Sequence, residues 1–407
     1  MLSDHALSTS GVGTQSRHLI NGLIKKGTWS VRQFGAAMKH DNYDVVNISP
    51  DFIIKPIDGF GSKDMLRLAL AVEKPDILFI FTDPRFFYWL FEMEDEIHQV
   101  CPLVWWHVWD NKPYPEYNDP FYESTDLINC HSHHTYEQLV EHHPDKTNFV
   151  PHAIPPELFF PATEDQKKEW KVQVLGKERE DHFVGFWVNR NARRKRPGDL
   201  LWSWKLFLDK LQEDTGEKKA TLVMHTDPVD KEGPNLFAIV EKLGIKDNVV
   251  FSTERIGFDQ MNAYHNLSDF IINVSYAEGF GLSTLEAMMT ATPIIAPCTG
   301  GQTRQVVDHR DGSENGFSLP IELQTLVGSQ TVPYIYEDYT TAETISDKIF
   351  SMWNLGPDGR KALGEKAKAY ADSEFGYQNT VDMWHDSMIE TINNWKKNYN
   401  RFTVEEL

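Results

Sequence analysis

Glu278–Ala296 reads EGFGLSTLEAMMTATPIIA. An apolar run, Asp269-Phe-Ile-Ile-Asn-Val-Ser275, leads into it, and the stretch ends in a second apolar run, Pro293-Ile-Ile-Ala296. Between the two lie Glu278, the loop Gly279-Phe280-Gly281-Leu282 and a helix-like segment containing Glu286. Strand, glycine loop, helix, strand is the unit of an open parallel sheet, in which ligands sit at the carboxyl ends of the strands. Free N–H groups at a helix start favour an anion, and glycine lets a phosphate approach the backbone closely.

Two carboxylates flank that loop. Glu278 sits at the strand end and Glu286 about one turn inside the helix. A carboxylate suits vicinal hydroxyls, because it accepts two charge-assisted hydrogen bonds of roughly 1.5–3 kcal/mol each. One Glu is thus expected on a sugar ring and the other on a ribose diol. A plainer reading stands beside this one. Ser283-Thr-Leu-Glu286 also matches a capping box, in which Glu286 only caps its helix and Glu278 only satisfies loop amides.

Working outward, 407 residues with 41% hydrophobic and 25% charged content fit a soluble chain of two domains. A net charge of −20 argues against nucleic-acid binding and against adsorption to anionic membranes. Cys101, Cys130 and Cys298 are far apart and form no CxxC, so neither a disulfide framework nor a zinc site is expected, and a cytoplasmic setting follows. No apolar run approaches the roughly 20 residues that span a bilayer, and no signal peptide is visible.

The first half alternates strand-like and helix-like runs. After a stub, Met1-Leu-Ser3, comes the glycine loop Gly11-Val-Gly13, then a helix expected over 14–26 with Leu19, Ile20, Leu23 and Ile24 on one face. Ser16 stands where a dinucleotide fingerprint needs its third glycine, which disfavours a dehydrogenase. Strands are expected at Asp44–Ile48, Asp76–Phe81, Leu103–Trp109, Asp126–Cys130 and Asn148–Pro151, with helices at Lys63–Val72, Phe86–Gln99 and His133–His142. That pattern implies a parallel sheet covered on both faces. His107 falls near a strand's carboxyl end, where it either meets a ligand or packs among Trp105, Trp106 and Trp109. His131, His133, His134, His142 and His143 read as surface residues rather than a metal site.

Charge-rich residues 161–180 read as a linker with a surface helix between a first domain, 1–160, and a second, 181–376. The second opens with Phe183-Val-Gly-Phe-Trp-Val188 and a basic run, Arg190-Asn-Ala-Arg-Arg-Lys-Arg196, in which five of seven residues are cationic. Its place at a strand end, just before a helix started by Pro197, favours phosphate binding over a solvated turn or a nucleic-acid patch. More strands are expected at Ala220–His225, Val249–Ser252, Ile271–Ser275 and Pro293–Ala296. Residues 321–340 read as irregular. In the tail, Val381, Trp384, Met388, Ile392 and Trp395 form a stripe at helical spacing, which is core far more often than a cofactor site.

As a block, Glu278, the GFG loop, Glu286-Ala-Met and Pro-Ile-Ile-Ala resemble the donor-site signature of retaining GT-B glycosyltransferases of family 4, and further matches cover most of the chain. The resemblance implies an α/β fold of two Rossmann-like, doubly wound domains facing across a cleft, with a terminal helix (377–400) packing back on the first. It implies transfer of a hexose from a nucleotide-diphospho-sugar, UDP- or GDP-linked, to a glycan, lipid-linked or small-molecule acceptor, with retention of anomeric configuration. Glu278 and His107 would be catalytic. Arg190, Lys195, Glu286, Gly279, Phe280, Gly281, Leu282, Gly11 and Gly13 would bind the donor. No Asp-x-Asp falls near a strand end, so cations and loop amides are expected to stabilise the leaving diphosphate without a metal or other cofactor. Ala291 stands where the family often has glycine, and Gln302-Thr-Arg304 where it often has an acid. A sugar-nucleotide epimerase of the same fold and a non-catalytic sugar-nucleotide-binding protein remain the alternatives.

Overall fold

The computed structural model describes residues 1–37 and 42–398. The chain forms two compact units. The first comprises Met1–Ala153, Gly328–Tyr334 and the chain from Phe375 onward, and the second Ile154–Val327 and Ile335–Glu374.

The first unit holds an eight-stranded sheet: β1 (Leu2–Asp4), β2 (Val31–Ala36), β3 (Val46–Ser49), β4 (Phe52–Pro56), β5 (Leu78–Phe81), β6 (Leu103–His107), β7 (Leu127–Cys130) and β8 (Thr147–Phe149), in the order β3-β4-β2-β1-β5-β6-β7-β8. All neighbours pair in parallel except β3 with β4. The stub at the start is a true strand between β2 and β5. β2 and β4 escaped the sequence reading because VRQFGA and FIIKP are short and interrupted by polar residues. The helix expected over 86–99 is broken into Pro84–Phe86, Tyr88–Phe91 and Glu94–His98. The stripe of the last helix (Tyr377–Asn398) packs Val381, Trp384 and Met388 against Leu19, Leu23, Phe79 and Trp106. Residues 399–400 of that expected helix lie outside the described residues.

The second unit holds a six-stranded, all-parallel sheet: β9 (Phe183–Val188), β10 (Ala220–His225), β11 (Val249–Ser252), β12 (Phe270–Ile272), β13 (Ile294–Pro297) and β14 (Phe317–Leu319), ordered β11-β10-β9-β12-β13-β14. The order reverses beside β9, so the carboxyl ends of β9 and β12 flank the switch point where such sheets bind ligands. β12 stops at Ile272 rather than Ser275, because Asn273 Oδ1 accepts the Ser275 amide at 2.8 Å and turns the chain. Its core joins Trp187, Trp204, Phe207 and Phe270. Residues 161–180 carry a capped helix (Glu164–Leu175) that belongs to this unit and packs on the helix Phe258–Leu267.

Residues 321–340 are not irregular. They form an antiparallel hairpin, β15 (Leu323–Val327) and β16 (Ile335–Tyr339), paired from Leu323↔Tyr339 to Val327↔Ile335. Alternation of Ile335, Glu337 and Tyr339 with Tyr336 and Asp338 gives β16 two faces, and it is Glu337 that is buried.

Candidate functional site

The strand end after β12 carries Glu278 into the GFG loop, and the helix Leu282–Met289 follows. Its N-cap is Gly281, at φ 93°, with no side-chain cap. Only glycine takes that left-handed value without strain. Ser283 therefore lies inside the first turn, and the capping-box reading of Ser283 and Glu286 does not hold. The first-turn amides have no helical acceptor and face the loop's end of the helix. Glu286 instead receives the His265 ring nitrogen Nε2 at 3.1 Å, and His265 is fully buried.

The loop is pinned from behind. Gln305 Nε2 donates to Phe280 O at 2.9 Å and Gly281 O at 3.2 Å, while Gly301 N donates to Glu278 O at 3.0 Å. Gln302 Nε2 donates to Thr284 Oγ1 at 3.0 Å. Of the stretch Gln302-Thr-Arg304, Gln302 is thus used to brace the helix that follows the loop, and its neighbours Gly301 and Gln305 hold the loop itself.

The basic run forms a short turn (Arg193–Lys195) and then Arg196 at φ 52°. Lys195 is buried and pairs directly with Glu278 Oε2. Arg194 Nη1 reaches Ala277 O at 3.2 Å and Glu278 Oε2 at 3.5 Å. Burial alone would push the Glu278 carboxyl up, but Lys195 and then Arg194 outweigh it and hold the group below the usual carboxylate range. Arg190 is not brought to this cluster. It forks onto Asp230 at 2.8 and 3.2 Å and stays largely exposed. The remaining cations of the run also have their own carboxylates, Arg193 with Glu337 and Arg196 with Asp199.

In the first unit, the helix starts at Gly11 rather than Thr14, so Gly11 and Gly13 lie in its first turn. Ser10 Oγ accepts the Gly13 amide at 3.0 Å and donates to Asp4 Oδ2 at 2.6 Å. His107 is wholly buried at the end of β6, its Nε2 3.0 Å from Tyr122 Oη. Burial, followed by the neighbouring His131, holds its imidazole well below the ordinary value. Trp105, Trp106 and Trp109 around it are core residues. His131, expected at the surface, is buried too, because its Nδ1 bonds His107 O at 2.8 Å across the β6–β7 step.

Sequence reasoning missed Gly301, Gln305, His265, Arg194 and Glu337 as site residues. Arg194 had a signal in the basic run. The others gain their places only through long-range packing.

Residues 186–326 match the family model described as glycosyl transferases group 1. This segment belongs to that family. The match spans the basic run, Glu278, the GFG loop, Glu286 and the two glutamines behind the loop. Among curated proteins, the chain is 26% identical over 269 residues to a D-inositol 3-phosphate glycosyltransferase of Corynebacterium jeikeium, a stretch covering 65% of this chain and 57% of the relative. The chain thus spans little more than half of that relative's length. Among solved structures, a sucrose-phosphate synthase from Thermosynechococcus elongatus aligns with a TM-score of 0.71 at 15% identity, covering 95% of this chain and 94% of the other. HepE of Anabaena, crystallised with UDP and glucose, aligns at 0.68 and 14% identity, covering 94% and 97%. The fold of the chain is GT-B, with two Rossmann-like α/β units. Among the described residues, no helix is long and apolar enough to cross a membrane.

Proposed function

We propose that the chain is a glycosyltransferase that moves a hexose from a nucleotide-diphospho-sugar to an acceptor hydroxyl, with retention of configuration and without a metal. One observation carries this reading: Lys195 and Arg194 converge on Glu278 at the switch point, beside the amides that open the helix Leu282–Met289. Two cations and one carboxylate leave the cluster net positive, which suits a diphosphate. The breaking glycosidic bond loads charge onto that diphosphate, and each preorganised donor contributes about 2.7–4 kcal/mol in the transition state. Lys195 and Arg194 supply the charge in this reading, while Arg190 stays on Asp230.

Glu278 orients the donor sugar, and Glu286, braced by His265, takes the ribose diol. The leaving phosphate accepts the acceptor's proton, so no protein base is assigned. His107, buried and bonded to Tyr122, shapes a strand end and takes no proton. UDP is the nucleotide to try first, because the Anabaena neighbour was crystallised with it.

The test is a melting panel with UDP, GDP, ADP and their glucose conjugates, with and without EDTA, followed by turnover of the nucleotide that binds. A ligand at 100 times its dissociation constant adds about 2.7 kcal/mol. One nucleotide should raise the melt equally in EDTA, and Glu278→Ala should abolish transfer while nucleotide affinity stays within about threefold. A shift that vanishes with EDTA defeats the metal-free mechanism. Epimerisation of the donor with no acceptor present defeats the transferase.

A further inference from the structure

We propose that the β15–β16 hairpin is a positioning element of the donor site, with Glu337 as the residue that sets the basic turn. This rests on the assignment of Lys195, Arg194 and Glu278 to the donor.

The turn cannot fix itself. Between Ala192 and Arg196 it has two backbone hydrogen bonds of its own, Lys195 N to Ala192 O and Arg196 N to Arg193 O, and it exits through a non-glycine residue at positive φ. One further main-chain bond, Arg193 N to Glu232 O at 3.1 Å, ties it to the loop after β10, and its side-chain ties come from the hairpin. Glu337 is 4% exposed and accepts both arms of the Arg193 guanidinium, at 3.0 and 3.1 Å. It also accepts Tyr339 Oη at 2.5 Å. A carboxylate at that depth is tolerated only when paired; Arg193 itself is largely exposed, and its two-pronged geometry is what ties it to Glu337. Arg193 Nη1 also bonds Tyr276 Oη at 2.7 Å, two residues before Glu278.

Main-chain ties repeat the pattern. Tyr276 N donates to Arg194 O at 3.2 Å, and Asp338 N donates to Tyr276 O at 3.0 Å. Thr299 Oγ1 donates to Asp338 Oδ2 at 2.5 Å, and Arg196 Nη2 donates to Thr340 O at 2.9 Å. Hairpin, basic turn and Glu278 loop are therefore cross-braced, and Glu337 is the charged joint among them. Glu337 is a positioning residue: it contacts Arg193, which holds the turn that aims Arg194 and Lys195.

The groups facing Glu278 are Lys195 and Arg194 from the turn and Ser275 from its own loop; those facing Arg193 are Glu337 and Tyr339 from the hairpin and Tyr276 from the loop. If the turn loosens, burial dominates at Glu278 and its carboxylate takes a proton at higher pH. That change separates positioning from simple bracing, which alters the melt alone.

The experiment is calorimetric binding of UDP-glucose to the full chain across pH 4.5–8, for the parent, Glu337→Gln, Glu278→Gln and Lys195→Gln, with melts of each. Glu337→Gln should weaken binding at neutral pH about tenfold and move the acid limb upward by about half a pH unit or more. Glu278→Gln should remove that limb. If Glu337→Gln does not fold, Tyr339→Phe, which loses one bond to the same carboxylate, should move the limb less and in the same direction. A Glu337→Gln protein, or Tyr339→Phe in its place, with a lowered melt but parental affinity and acid limb overturns the proposal. If Glu278→Gln and Lys195→Gln themselves bind as the parent does, the donor-site assignment falls, and the hairpin's role with it.

Discussion

Gly301→Ala isolates the packing behind the loop from its chemistry. A Cβ at position 301 would lie 2.2 Å from Gly279 O, 2.6 Å from Phe280 Cα and 2.9 Å from Gly279 C. All three are backbone atoms, so no side chain can swing aside. Gly301 does not sit at positive φ, so the damage is steric and not conformational. Restoring an ordinary carbon–oxygen contact requires about 1 Å of separation. That movement breaks the 3.0 Å bond from Gly301 N to Glu278 O, a loss of about 1 kcal/mol. Overpacking adds about 1–3 kcal/mol. The expected destabilisation is therefore about 2–4 kcal/mol, or roughly 5–15 °C in the melt of a unit this size. Displacing Glu278 by about 1 Å should cost turnover about a hundredfold. Differential scanning calorimetry and donor turnover measure the two effects. Gly198→Ala is the control, because its Cβ meets only ordinary contacts at 3.5 Å and beyond, and in a helix the change should stabilise by about 0.4–1 kcal/mol. A Gly301→Ala protein that melts and turns over like the parent would refute the tight seat assigned to the loop.

Two further outcomes are expected. Lys195→Ala should weaken nucleotide binding about a hundredfold and Arg190→Ala less than about threefold, as titration calorimetry would show; equal losses would return Arg190 to the diphosphate. The first unit should also be acid-labile. Burial, then Arg17, holds His18 down to about 4, and burial keeps His107 and His152 well below the ordinary imidazole value. The unfolded chain binds protons from about pH 6.5 downward while the fold resists them, so stability is complete above that pH and lost as pH falls toward 4. His18 alone accounts for about 3 kcal/mol of this. A melt that stays level from pH 6.5 to 4.5 contradicts it.

How much was legible depends on what buries each element. The strands of the second sheet are covered on both faces, so FVGFWV and ATLVMH read as continuous apolar runs and were found within a residue or two. The hairpin was missed because LQTLV and IYEDY have polar residues on both faces and gain their meaning from Glu337, whose partner lies 144 residues earlier. The same limit applied to the cations. The sequence displays the basic run, but which member meets Glu278 depends on Asp230, Glu337 and Asp199 claiming the others. The capping-box alternative fails for a different reason: the pattern fits Ser283, yet Gly281 at φ 93° starts the helix two residues sooner.

The basic run therefore acts as a selector more than as a store of charge. Of its five cations, Arg190, Arg193 and Arg196 each hold a carboxylate outside the Glu278 loop, which leaves Lys195 and Arg194 to share one. A single excess charge next to a buried carboxylate is a modest attraction for a diphosphate but a well-directed one. Lys195 carries most of its force, because it is buried while Arg194 is nearly half exposed, and a charge in water is screened within about 8–10 Å. The pairing of Lys195 with Glu278 also keeps each group desolvated and in place. On the proposed donor assignment, an arriving sugar diphosphate supplies hydroxyls for the carboxylate and oxygens for the cations at once, so neither group is left buried without a partner. A bare phosphate gives Glu278 no vicinal hydroxyls, and a bare sugar gives Lys195 no counter-charge. Discrimination in favour of the intact donor over its two halves follows from that arrangement.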